Sequence, residues 1–173
     1  ALQIARLAPQ RVERLIVIGG TPSFTERPDW PDAQAPALLE AFCNAVGHDA
    51  SATLQRFIAL LNQGDTQARG VARALTRRVL ATPLPDTAPL LAGLAWLRDL
   101  DLRQLVSTVD TPALVIHGAN DSLMPLPAAR WLHATLPHSQ LEIFNDAAHA
   151  PFLNDPERFA RLIGDFSHAS ALD

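Results

Sequence analysis

The sequence predicts an α/β fold, a doubly wound parallel sheet into which a block of helices is inserted. Three observations carry the prediction. Leu15-Ile16-Val17-Ile18 and Ala113-Leu114-Val115-Ile116 are short apolar runs, rich in β-branched residues and without polar alternation. Strands of that pattern are covered on both faces, as in a parallel sheet. From the second run onward, strand and helix alternate at a spacing that suits right-handed crossovers. Between the two runs lies a long stretch that reads as helices rather than strands.

The elements follow in order. Ala1-Leu2-Gln3-Ile4-Ala5-Arg6 is already in helical rhythm, and this helix is expected to stop at Pro9. The first strand is closed by Gly19-Gly20. A Pro-rich loop from Pro22 to Pro36 then leads to helices near 37–46, 52–61, 66–80 and 87–97, with Pro83 and Pro85 punctuating the last two. Such a block, inserted between two strands of one sheet, sits over the sheet as a lid. The second strand runs into His117-Gly118, and a helix follows near 127–136. A third strand, 140–144, alternates more and is expected closer to an edge. The last helix, near 156–166, has Asn154 or Asp155 as its N-cap. The organisation expected is core over 1–21, helical lid over 22–106, and core again over 107–173.

A chain of 173 residues can bury a sizeable core, and 48% hydrophobic against 18% charged residues is a globular balance. Net charge is −4, all positive charge comes from Arg, and no basic block suggests nucleic acid. No apolar run reaches the length of a membrane span. The single Cys43 excludes an internal disulfide framework and fits a reducing cytoplasm. With Met124 as its only Met and a helix running from its first residue, the chain is expected to be part of a longer one.

In an open α/β sheet, ligands sit at the carboxyl ends of the strands. Asp121 follows the second strand through His117-Gly118-Ala119-Asn120, and His149 follows the third through Asn145-Asp146-Ala147-Ala148. A loop His facing an Asp on the neighbouring loop is the base and orienting acid of a nucleophilic triad. Taken alone, each has a plainer reading: an Asp after a strand is a turn residue or helix cap, and a loop His is solvated. Asp146 is a rival acid, but three residues before His149 it suits a cap better. His117 reads as structural, and no histidine has metal-ligand spacing, so no metal or cofactor is expected.

The tail resembles α/β-hydrolases, whose order of nucleophile, acid and base it follows. The chain as a whole resembles the pimeloyl-acyl-carrier-protein methyl ester carboxylesterase family of biotin biosynthesis. The matching segments are 1–5, 9–12, 26–31 with Asp29-Trp30-Pro31, Arg56-Phe57-Ile58-Ala59-Leu60, Ala72-Arg73-Ala74-Leu75, 80–85, Asp101-Leu102-Arg103-Gln104 and 147–152. They span the lid as well as the tail. The resemblance implies a serine carboxylesterase in which Asp121 orients His149. It also places a Gly-x-Ser-x-Gly elbow a few residues before the position of Ala1. Ser23, Ser51, Ser107, Ser122, Ser139, Ser167 and Ser170 all lack that setting, so these 173 residues alone are expected to be inactive and poorly folded. A general esterase or lactonase on the same fold, and a remnant that keeps only a binding surface, are the competing readings.

Arg69, Arg73 and Arg77 recur at intervals of four and share a helix face, with Arg56 on the preceding helix. A solvated face is the plain reading. The resemblance implies instead that Arg56, Arg69 and Arg73 receive an acidic acyl carrier protein; Ala52 stands where the family has a further arginine. Phe57 and Phe152 are candidate walls of an apolar acyl channel, Phe152 being the stronger and Phe57 equally suited to lid core. Trp30 and Trp96 are expected to pack. A monomer is expected.

Overall fold

The computed structural model describes residues 1–81 and 86–169; the expectations on Pro83, Pro85 and Ser170 lie outside the described residues. Three parallel strands form the sheet: β1 (Leu15–Ile18), β2 (Ala113–Gly118) and β3 (Ser139–Phe144), in that order. Leu15 stands opposite Ala113, and Ala113 opposite Ser139. Every residue of β2 is buried, as a central strand with an unbroken apolar run should be. Its side chains alternate between two cores. Ala113 and Val115 join Leu2, Leu15, Val106, Ala129 and Leu132 on one side, while Leu114 and Ile116 join Phe144, Ala147 and Phe166 on the other.

Helices cover both faces. α1 (Leu2–Leu7) and α7 (Leu126–Thr135) supply residues to the first core, and α9 (Pro156–His168) covers the second with Phe159, Leu162, Ile163 and Phe166 at helical spacing. Asp155 is the N-cap of α9, its Oδ1 accepting the Arg158 N–H at 3.0 Å. Between β1 and β2 come α2 (Pro36–His48), α3 (Ala50–Leu61), α4 (Ala68–Leu80) and α5 (Thr87–Asp99), then the short α6 (Arg103–Val106).

Several elements differ from the sequence expectation. His117-Gly118 is not the exit from the second strand but its last two residues, paired with Ile143 and Phe144. α4 begins at Ala68 rather than near 66, because Gly64 turns the chain at φ +91° and the Asp65 carboxylate takes the Gln67 N–H. A 3-10 turn at Pro9–Arg11, α6 and the one-turn α8 (Pro151–Asn154) were not legible in the periodicity. Trp96 does not pack: it is 68% exposed, whereas Trp30 is buried edge-on against Trp131 at 5.2 Å. The Trp30 indole N–H donates to Ser23 O, and Arg103 lies over the ring while pairing with Asp29 and Asp101. These contacts fasten the Pro-rich loop that leads into the helical block.

Candidate active site

Adjacent parallel strands bring their carboxyl ends together, so the loops after β2 and β3 face each other. Asp121 stands on the first and His149 on the second. The Asp121 side chain is fully buried and fixed on both oxygens. Oδ1 accepts the backbone N–H groups of Leu123 and Met124, each at 2.9 Å, and Oδ2 lies 2.7 Å from His149 Nδ1. A carboxylate only accepts, so the shared proton sits on Nδ1 and Nε2 is left as an acceptor. Among the described residues Nε2 makes no hydrogen bond, and the side chain is 24% exposed.

Two glycines let these loops approach. A Cβ at Gly118 would lie 1.9 Å from the carbonyl oxygen of Ala148, so only glycine allows the loop before His149 to cross the end of β2. At Gly19, with φ +53°, a Cβ would come within 3.2 Å of the imidazole itself. His117 is buried behind Asp121, with Nε2 at 2.7 Å from Met124 O. Burial holds its pKa below the ordinary histidine value, and the uncharged ring fits a site where Nδ1 has no partner. The rival acid Asp146 is exposed, and among the described residues no hydrogen bond or ion pair joins it to the His149 ring; its carbonyl oxygen accepts from Thr66 instead.

His149 opens onto a cavity of about 470 Å³ roofed by the helical block. Phe24, Leu38, Leu39, Phe42, Phe57, Leu60, Leu61, Leu94 and Leu97 make the wall apolar; Gln34, Gln63 and Ser122 are its polar side chains besides the histidine. Phe57 belongs to this wall, its ring tilted against Phe42 at 5.0 Å. Phe152 does not: from the first turn of α8 it packs on Phe159 of α9, at 5.8 Å between centroids. The order of the two phenylalanines is thus the reverse of the sequence expectation. Arg56, Arg69 and Arg73 are exposed, and none forms an ion pair among the described residues. Also among the described residues, no helix is long and apolar enough to cross a membrane, and no group of three His, Cys, Asp or Glu could hold a metal ion. Gly19 and Gly118 shape the site without belonging to any motif, although both directly end strands, where such glycines can be sought. Asp65, whose carboxylate binds the loop before His149, carries no motif either.

A family model described as the alpha/beta hydrolase fold matches residues 1–156. Among curated proteins, a pimeloyl-[acyl-carrier protein] methyl ester esterase from Aromatoleum aromaticum is 43% identical over 170 residues, which is 95% of this chain and 68% of that protein. Among solved structures, an esterase from Exiguobacterium antarcticum has a TM-score of 0.81 at 22% identity, over 96% of this chain and 63% of that one. A bromoperoxidase from Bacillus anthracis has a TM-score of 0.83 at 19% identity, over 95% and 61%. An enol-lactonase from Burkholderia xenovorans has 0.79 at 18%, over 96% and 60%. At those identities the solved structures speak for the fold alone. The chain spans between 60% and 68% of the length of these relatives.

Proposed function

This chain belongs to the α/β-hydrolase family, and we propose that it carries the acid and base of a serine carboxylesterase acting on the methyl ester of a carrier-bound pimeloyl chain, a step of biotin biosynthesis. The observation that supports the reading most directly is the 2.7 Å contact between His149 Nδ1 and Asp121 Oδ2 at the mouth of an apolar cavity. In this reading His149 Nε2 takes the proton of a serine hydroxyl as it attacks the ester carbonyl, then returns it to the departing methoxide. It next takes a proton from a water molecule as that water attacks the acyl-enzyme carbonyl, and gives it to the serine oxygen as the acyl–oxygen bond breaks, which frees the acid and restores the serine. Asp121 keeps the ring in the required tautomer and stabilises the imidazolium. The serine and the oxyanion-hole donors come from sequence outside these 173 residues, none of whose serines stands in Gly-x-Ser-x-Gly. The 173 residues by themselves therefore give no ester turnover. The helices α2 to α5 act as the lid over the acyl chain, whereas α6, expected within the lid, belongs to the sheet core through Val106; the enzyme works as a cytoplasmic monomer without a cofactor.

The acyl chain occupies the cavity, where Phe57 is a wall residue. Phe57→Ala in the full-length enzyme should raise KM for a carrier-bound pimeloyl ester about tenfold, since lost apolar pocket contact is worth roughly 1–3 kcal/mol. Methyl acetate, too short to reach the ring, should respond less than about twofold. Equal effects on both would remove Phe57 from the acyl site.

The relative's name supplies the carrier protein, and the exposed guanidinium groups of Arg56, Arg69 and Arg73 suit its acidic surface. The deciding experiment assays the full-length enzyme on a carrier-bound methyl ester and on a small free one, in wild type and in Arg69→Glu/Arg73→Glu. Turnover of the carrier-bound ester, with KM raised about tenfold or more by the charge reversal and the free ester unaffected, is expected, as tenfold corresponds to roughly 1.4 kcal/mol. Turnover of free esters or lactones alone would discard the biotin assignment and keep the hydrolase.

A further inference from the structure

The hairpin between α3 and α4 is stitched to the loop that carries His149. Asp65 sits in that hairpin, 7% exposed, and its carboxylate takes three hydrogen bonds. Oδ1 accepts from the Gln67 N–H at 2.6 Å and from Asn154 Nδ2 at 2.8 Å. Oδ2 accepts from the backbone N–H of Ala148, the residue before His149, at 3.2 Å. Two further bonds run alongside: the His149 N–H donates to Leu61 O at 3.3 Å, and the Thr66 N–H donates to Asp146 O at 3.0 Å. A buried carboxylate is costly unless its oxygens are satisfied, and here two of its three bonds, those from Ala148 and Asn154, tie the helical block to the histidine loop and the α8 that follows it. The Asp121–His149 chemistry makes no use of it. The same hairpin carries Leu60, Leu61 and Gln63, which line the apolar cavity.

We propose that Asp65 is a positioning residue for His149, which fixes the backbone at Ala148 and makes the aim of the imidazole depend on how the helical block closes over the acyl chain. A ring held from one side by Asp121 can still swing with its backbone, and Asp65 removes that freedom. Because the anchor is continuous with the cavity wall, a chain that fills the cavity also steadies the base. Acyl length therefore acts on kcat as well as on KM. The kinetic part of this proposal rests on the carboxylesterase reading; the placement of the ring does not.

Asp65→Asn keeps the volume but turns an NH2 group toward donors that need an acceptor. In the full-length enzyme, kcat per titrated active site should fall about 10- to 100-fold for a long acyl ester, the range expected when a reacting group shifts by about 1 Å. KM should change less than about threefold, and the rise of kcat with acyl length should flatten. The low-field proton resonance of the His149–Asp121 hydrogen bond should broaden or vanish in a protein that keeps its far-ultraviolet circular dichroism. Asn154→Ala removes only one of the three bonds and should give the same pattern at about 3- to 10-fold, which keeps the test available if Asp65→Asn does not fold. An unchanged kcat per site together with an unchanged low-field proton, even with a lower melting temperature, would reduce Asp65 to a structural residue and overturn the proposal. If wild type turns over no ester, the esterase reading fails while the proton resonance still decides the role of Asp65.

Discussion

Replacing His149 by Ala in the full-length enzyme is expected to lower kcat for a methyl ester by about 10⁴-fold or more, with KM within about threefold, and Asp121→Asn should cost about as much. The second variant is the more telling. Asp121 Oδ1 already holds the amides of Leu123 and Met124, and two backbone donors outvote one imidazole for the single oxygen of an asparagine. The amide NH2 is then left facing His149 Nδ1. It donates to that nitrogen and drives the ring proton to Nε2, where the base must be empty. Stability should change little, since the loop bonds persist, so the loss falls on the chemical step. Steady-state kinetics with a melting curve on the same samples checks both halves. A kcat within tenfold of wild type in Asp121→Asn would mean that another acid serves His149.

Gly118→Ala is expected to be the most damaging single methyl in the described chain. The added carbon would sit 1.9 Å from Ala148 O and 2.6 Å from Ala147 O, and both obstacles are backbone. No rotamer relieves a Cβ clash, and β2 is buried along its whole length, so either the strand or the histidine loop must move. Overpacking of this kind costs about 3 kcal/mol or more, a large share of the roughly 5–15 kcal/mol that holds a domain together. The variant should be largely insoluble or melt far below wild type. Gly93→Ala and Gly164→Ala, where an added Cβ meets nothing within 4 Å, should be neutral or slightly stabilising helix substitutions. Comparable melting of all three would show that the loop before His149 does not cross β2 as described.

The same contrast explains what the sequence discloses. Leu15–Ile18 and Ala113 onward are legible as strands because burial on both faces leaves a mark on every residue of the run. Asp121 and His149 are legible because each follows such a run at the end of the sheet where chemistry gathers. Asp65 carries no such mark: its partners Ala148 and Asn154 lie on the far side of β2 and β3, and a carboxylate in a Gly64-Asp65 turn reads as a solvated turn residue. Trp96 reads as a packing residue because α5 is apolar around its circumference, which conceals the uncovered face. The direction of Phe152 depends on α8, a single turn too short to show a period.

The β1–β2 ladder has a consequence for how such an enzyme changes over generations. Leu15 to Ile18 pair with Ala113 to Ile116, so the entire helical block is a loop closed by one short ladder. The entropy of closing a loop grows only with the logarithm of its length, about 0.6 kcal/mol for each doubling. Helices can therefore be lengthened, shortened or exchanged between these strands with little thermodynamic penalty from closure. Asp121 and His149 stay on the sheet while the cavity wall carried by the block is free to be rewritten. What a replacement block must still bring is an acceptor for the amide of Ala148.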